Sequence, residues 1–187
     1  MNRPLLLLVL AAGAALCRAQ TPASSWENAD RQVVRLRPQA FPELPAAVRA
    51  ELDRRGCTIP QVSMIEGRQN VIQGEFSKAG QTDWAVLCSI GRVSSILIFW
   101  NGSTLKPSEI EKAPDQDRLQ GWGGDKIVYS QAITPVGKRY ILEHYNAYGG
   151  EKPPPLDHQG IDDAFVGKAS VVLYLYRGKW LHLSGAD

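Results

Sequence analysis

Apolar and polar positions alternate with a period of two through most of the chain after residue 57. Over residues 83–90, Trp84, Val86, Cys88 and Ile90 fall on one face and Ala85, Leu87 and Ser89 on the other, which is the repeat of a β-strand. Gly91-Arg92 follows as a two-residue turn with glycine first, leading into residues 93–100, and Asn101-Gly102 is the strongest short turn signal in the chain. With a short extended run at 70–76, these segments predict a meander. A polar stretch, 103–117, and a glycine-rich bend, 121–124, precede residues 126–133 and 139–148, which predict a second hairpin joined near Pro135-Val136-Gly137. A loop rich in proline and charge spans 149–163. Residues 169–176 and 179–184, joined at Arg177-Gly178, predict a third hairpin.

Helical spacing is confined to one place. Ala47, Val48 and Leu52 give an apolar face, Pro45 suits a first helical turn, and Arg54-Arg55-Gly56 supplies cations and a stop. Residues 20–40 are mostly polar and predict an extended lead-in, with Val33, Val34 and Leu36 as its possible edge strand. The predicted fold is α+β, predominantly antiparallel β in hairpins and a meander, with one short N-terminal helix, and it occupies residues 41–187. No long crossover alternates with the strands, and neither G-x-G-x-x-G nor a Walker loop is present, so a parallel nucleotide-binding sheet is disfavoured.

Composition places the molecule without explaining it. With 187 residues, 44% hydrophobic and 21% charged, the chain is neither disordered nor collagen-like and is long enough for one core. Its first 19 residues carry Arg3, an apolar run from Leu5 to Leu16, and small residues at Cys17 and Ala19. That is the layout of a secretory signal peptide, and the run is shorter than the roughly 20 residues that a spanning helix needs. Cleavage near Ala19 leaves a secreted or periplasmic chain that does not span the membrane. Of 21 Lys and Arg, Arg3 and Arg18 leave with the leader, so 19 basic residues balance 19 acidic ones. Nucleic acid, which demands a cationic surplus, is excluded as a partner. Cys57 and Cys88 remain, an even pair in an oxidising compartment, and are expected to form one disulfide.

Residues 74–89, GEFSKAGQTDWAVLCS, resemble one FG-GAP repeat, the blade motif of integrin-type propellers, within a stretch of about 71–100. Glu75 falls on the first acidic position of its calcium loop, Phe76 on the aromatic, Ser77 on the third position, Ala79 on the fifth, Gly80 on the sharp-turn glycine and Asp83 on the last acid. The resemblance implies a hairpin bent at Gly80. Calcium takes six to eight oxygens, yet Ala79 offers none and Ser77 only a hydroxyl, so Glu75, Ser77 and Asp83 form a degenerate loop. No metal and no cofactor are assigned, with calcium the one ion the motif would suggest. Four or more blades do not fit in this length. The segments RRGCTIPQ and GIDDAF also resemble small secreted bacterial proteins of no assigned function.

Candidate ligand-binding residues lie in two places. Asp157, His158, Asp162 and Asp163 gather three carboxylates and a histidine around Gly160 on the long loop. Such a set binds a divalent ion, or supplies an acid and a base, if its oxygens converge; the same acids are equally suited to capping turns. Trp122 and Tyr148 adjoin glycine-rich loops and are expected to be partly exposed, where rings make flat platforms for glycans or peptides. His144 is expected within a strand, and His182 on the same strand face as Trp180, neither with an assigned role. No catalytic residue is assigned. Three functions follow: a secreted non-catalytic β-domain that binds an unknown protein or glycan or belongs to an envelope assembly; a small metal-dependent hydrolase centred on 157–163; or a carbohydrate-binding or inhibitor protein using the aromatics.

Overall fold

The computed structural model describes residues 25–186; the expected leader lies outside them. Helix α1 (Ser25–Gln32) leads into strand β1 (Arg35–Leu36), then helix α2 (Ala46–Arg54) and strand β2 (Ile59–Pro60). The lead-in read as extended is therefore mostly helical, its polar helix held by ion pairs that the spacing does not reveal. Helix α2 forms where expected. Gly56 adopts φ +71 after it, a conformation that glycine reaches without Cβ strain.

Two four-stranded antiparallel sheets carry the molecule. The first joins β3 (Val71–Gly74), β4 (Asp83–Ile90), β5 (Val93–Phe99) and β6 (Ser108–Pro114) in chain order. After the two-stranded β7 (Leu119–Gly121) and β8 (Ile127–Tyr129), the second joins β9 (Gln131–Val136), β10 (Gly160–Phe165), β11 (Ala169–Tyr176) and β12 (Lys179–Ser184), also in order. Helix α3 (Lys138–Tyr148) connects β9 to β10. The α+β class with mostly antiparallel strands is as the sequence predicts.

Three clusters of buried residues define four layers. Ala85, Leu87, Ile96 and Ile98 of the first sheet pack against Ile133, Ile161 and Leu173 of the second. The opposite face of the first sheet, with Val86, Cys88, Leu97 and Phe99, meets Val48 and Leu52 of α2. On the far side of the second sheet, Val136, Val172, Tyr174 and Leu183 meet Ile141 of α3. Two sheets are thus packed face to face, each with a helix on its outer side, which is why β4 and β5 are apolar at odd and even positions alike. Cys57 and Cys88 are disulfide-bonded, with Cα atoms 5.4 Å apart, and tie the chain after α2 to β4.

Three expectations are corrected. Residues 139–148 form a helix, not the second arm of a hairpin; its Tyr and Ile residues favour strands, but Tyr140, His144 and Tyr148 recur every four residues and stack along one side. The polar stretch at 103–117 contains edge strand β6, whose solvated face hid it from a hydrophobic reading. The end of the 149–163 loop is strand β10, so Asp162 and Asp163 sit in a ladder rather than in a loop. The turns at Gly91-Arg92 and Arg177-Gly178 hold: all four residues have positive φ, as two-residue hairpin turns of the mirror-image type require.

Candidate functional site

Alternation on β10 sends Asp162 and Asp163 to opposite faces of the second sheet. Asp162 pairs with Val172 and lies on the α3 side, where desolvation raises its pKa and the Ser170 and Tyr140 hydroxyls and His144 oppose that rise. Asp163 faces the first sheet and accepts a 2.8 Å hydrogen bond from Gln131 Nε2. Its pKa is also raised, again mainly by desolvation. Asp157 and His158 lie elsewhere still: His158 Nδ1 is 2.6 Å from Asp157 Oδ1, and the imidazole stacks on Tyr174 with ring centroids 4.3 Å apart. The hydrogen bond from His158 lowers the Asp157 pKa, and burial raises that of Tyr174. The four residues therefore do not converge. Among the described residues, no group of three His, Cys, Asp or Glu side chains is placed to hold a metal ion.

Asp83 is the hub of the 75–83 loop. Its Oδ2 accepts from the backbone N–H groups of Phe76 and Ser77 and from the Ser77 hydroxyl; its Oδ1 accepts from Gln81 Nε2 and from the Asn101 N–H. Five donors at 2.7–3.1 Å serve one wholly buried carboxylate, so the turn is held by hydrogen bonds within the chain. Trp122 and Tyr148 are 43% and 53% exposed and pack on different neighbours. Trp122 covers Gly167 in the β10–β11 turn, where a Cβ would meet its ring at 2.9 Å, whereas Tyr148 stacks on His144 at the end of α3.

The site that sequence reading missed lies between the two sheets. A cleft of about 290 Å3 opens there, with Glu111, Arg118, Asp163 and His182 on its polar walls and Val171 and Leu173 among its apolar ones. A β-bulge builds one wall. Between the pairs Ser94↔Ala113 and Ile96↔Ile110, the two residues Glu111 and Lys112 of β6 oppose Ser95 of β5. Glu111 stands at φ +54, in the left-handed region that costs a non-glycine residue about 1–2 kcal/mol. Bulges turn a side chain away from its regular direction, and this one brings Glu111 Oε1 to 2.8 Å from His182 Nε2 on β12 of the other sheet. Both residues line the cleft. His182 does share its face with Trp180, as alternation predicts, and that face is the one turned to the cleft.

Arg118 enters from the short 3-10 turn after β6. Its NH2 group reaches the Glu111 carbonyl at 3.5 Å, the limit of a hydrogen bond, and its buried Nε has no hydrogen-bond partner. A buried N–H left unpaired costs about 1–3 kcal/mol. The neighbouring charges are engaged: Lys168 lies 5.9 Å from the Phe165 ring centroid, Glu111 meets His182, and Asp163 meets Gln131. Of this constellation the sequence singles out Asp163 alone as a candidate; Glu111 lies in a stretch that reads as polar, and no spacing relates it to residue 182. Compared with known proteins, the chain matches no family model, no curated protein and no solved structure.

Proposed function

We propose that this protein is an extracytoplasmic, non-catalytic binding module that takes a small ligand between its two sheets. The observation that carries this reading is the cleft at Glu111, Arg118, Asp163 and His182. Its floor is apolar, and one polar wall is aimed by a strained bulge. Local strain kept at a surface opening favours a site over a packing accident. The extracytoplasmic part rests on the leader-like first 19 residues and on the disulfide, together with the fact that no described helix is long and apolar enough to cross a membrane. The hairpin at 75–83 fits a degenerate FG-GAP loop whose Asp83 organises the turn through hydrogen bonds rather than through an ion.

The test is binding of a neutral apolar fluorophore, N-phenyl-1-naphthylamine, to the purified protein and to Val171→Trp, which fills the cleft. Fluorescence enhancement in the wild type, lost in the folded variant, supports the module. Equal enhancement in both, or none in either, rejects it. The hydrolase alternative keeps only its Asp157–His158 pair in contact, and Asp157→Ala with His158→Ala is expected to leave any ester hydrolysis by the preparation unchanged.

A further inference from the structure

The charges around the cleft differ in what they still lack. Glu111 and His182 answer each other at 2.8 Å, Asp163 is held by Gln131, and Lys168 is drawn over Phe165. Arg118 alone has a planar fork of donors with one marginal bond, no carboxylate within ion-pair distance among the described residues, and an orphaned Nε. A guanidinium so placed fits two carboxylate oxygens in parallel. Val171, Leu173 and Phe165 lie beside it and offer nothing polar from their side chains.

Resting on the binding-module reading, we infer that the ligand is a small monocarboxylate with an unbranched apolar body, its carboxylate on Arg118 and its chain along Val171 and Leu173. A volume of about 290 Å3 sits at the lower end of small-molecule sites, which suits a ligand of roughly ten non-hydrogen atoms. A second opening of about 330 Å3 shares Val171 and His182 and continues towards Tyr148, so a longer chain has a path along the end of the sheet. The two acids on the walls do not reserve the cleft for a cation. Glu111 is matched by His182, and Asp163 accepts from Gln131 and faces the Arg118 charge.

The experiment is isothermal titration of the purified protein with octanoate, hexanoate, octanol and octylammonium. Octanoate is expected to bind about fifteenfold tighter than hexanoate, at roughly fourfold per methylene, and tighter than octanol or octylammonium. Arg118→Met is expected to weaken octanoate about tenfold or more with octanol unaffected; Arg118→Lys, which keeps the charge and loses the fork, falls between. Val171→Trp, which leaves Arg118 in place, is expected to abolish octanoate binding. Circular dichroism checks that each variant is folded. Preference for octylammonium, or equal octanoate affinity in wild type and folded Arg118→Met, overturns the carboxylate assignment and leaves the cleft as a binding site. If none of the four binds while N-phenyl-1-naphthylamine does, the inference alone falls; if the fluorophore also fails, the binding-module reading falls with it.

Discussion

Buried polar groups are treated differently on the two sides of this molecule. On the first sheet, Asp115 is wholly buried, and accepts from Arg35 Nε and NH2 and from the hydroxyls of Ser89 and Ser94. Asp30 completes the network by pairing with Arg35 and with Arg92, which fastens α1 to the sheet. Asn70 is as deeply buried and stitches the sheets together, donating to the carbonyls of Pro60 and Gln131 and accepting from the Ile133 N–H. At the cleft and around the second sheet, by contrast, lie the three orphaned atoms among the described residues: Arg118 Nε, three residues after Asp115 in the turn that follows β6, His158 Nε2 and Asp162 Oδ1. Fully served polar groups specify a fold. Underserved ones mark where the chain has kept bonding capacity in reserve, because leaving it unmet costs stability.

That contrast is broken most decisively at Asp115. Asp115→Ala leaves the Arg35 guanidinium, only 15% exposed, with Asp30 as its one carboxylate and strips the Ser89 and Ser94 hydroxyls of their acceptor, and is expected to cost about 3–5 kcal/mol in urea unfolding; a loss under about 1 kcal/mol would mean the network is dispensable. Replacing Cys57 and Cys88 by Ala is expected to cost roughly 3–4 kcal/mol, the chain-entropy value for a loop of about 32 residues. Free-thiol titration of the unreduced, denatured protein should correspondingly find neither sulfur reactive.

Smaller effects, of opposite sign, are expected at the cleft, where Glu111 of the first sheet faces Asp163 of the second. Glu111→Gly removes left-handed strain and is expected to stabilise the fold by up to about 1 kcal/mol while freeing His182. No gain in thermal midpoint would show that the bulge is unstrained. Asp163→Asn keeps the Gln131 bond and removes the charge. The native pKa of Asp163 is raised above the ordinary 3.8, so between those values the native state holds more protons than the unfolded one. Stability therefore falls as pH rises through that window. The Asn variant is expected to be slightly more stable than wild type at pH 7 and equal to it below about pH 4. A difference that stays constant with pH would place the effect elsewhere.

Legibility in the sequence divided along a different line, local rules against long-range packing. The β4–β5 hairpin, α2, the β11–β12 hairpin and the cysteine pair were readable because each rests on local rules: period two, mirror-image turn residues, an N-terminal proline with a terminal glycine, and an even thiol count. Helix α3 was misread because Tyr140, Ile141 and Tyr145 suit a strand, and only the docking of Ile141 onto the second sheet makes the helix pay. The loop acids looked like one cluster because they are close in sequence. A strand separates neighbours to opposite faces, and β10 did that to Asp162 and Asp163.

The residues by themselves determined the strand-rich α+β class, most turns and the cross-link. Those follow from interactions between near neighbours or from counting. Only the tertiary structure decided that two sheets stack with a helix on each outer face, and that Glu111 meets His182 71 positions away beside an unpaired Arg118. A cleft between two sheets is set by packing across the whole core, not by any local stretch of chain.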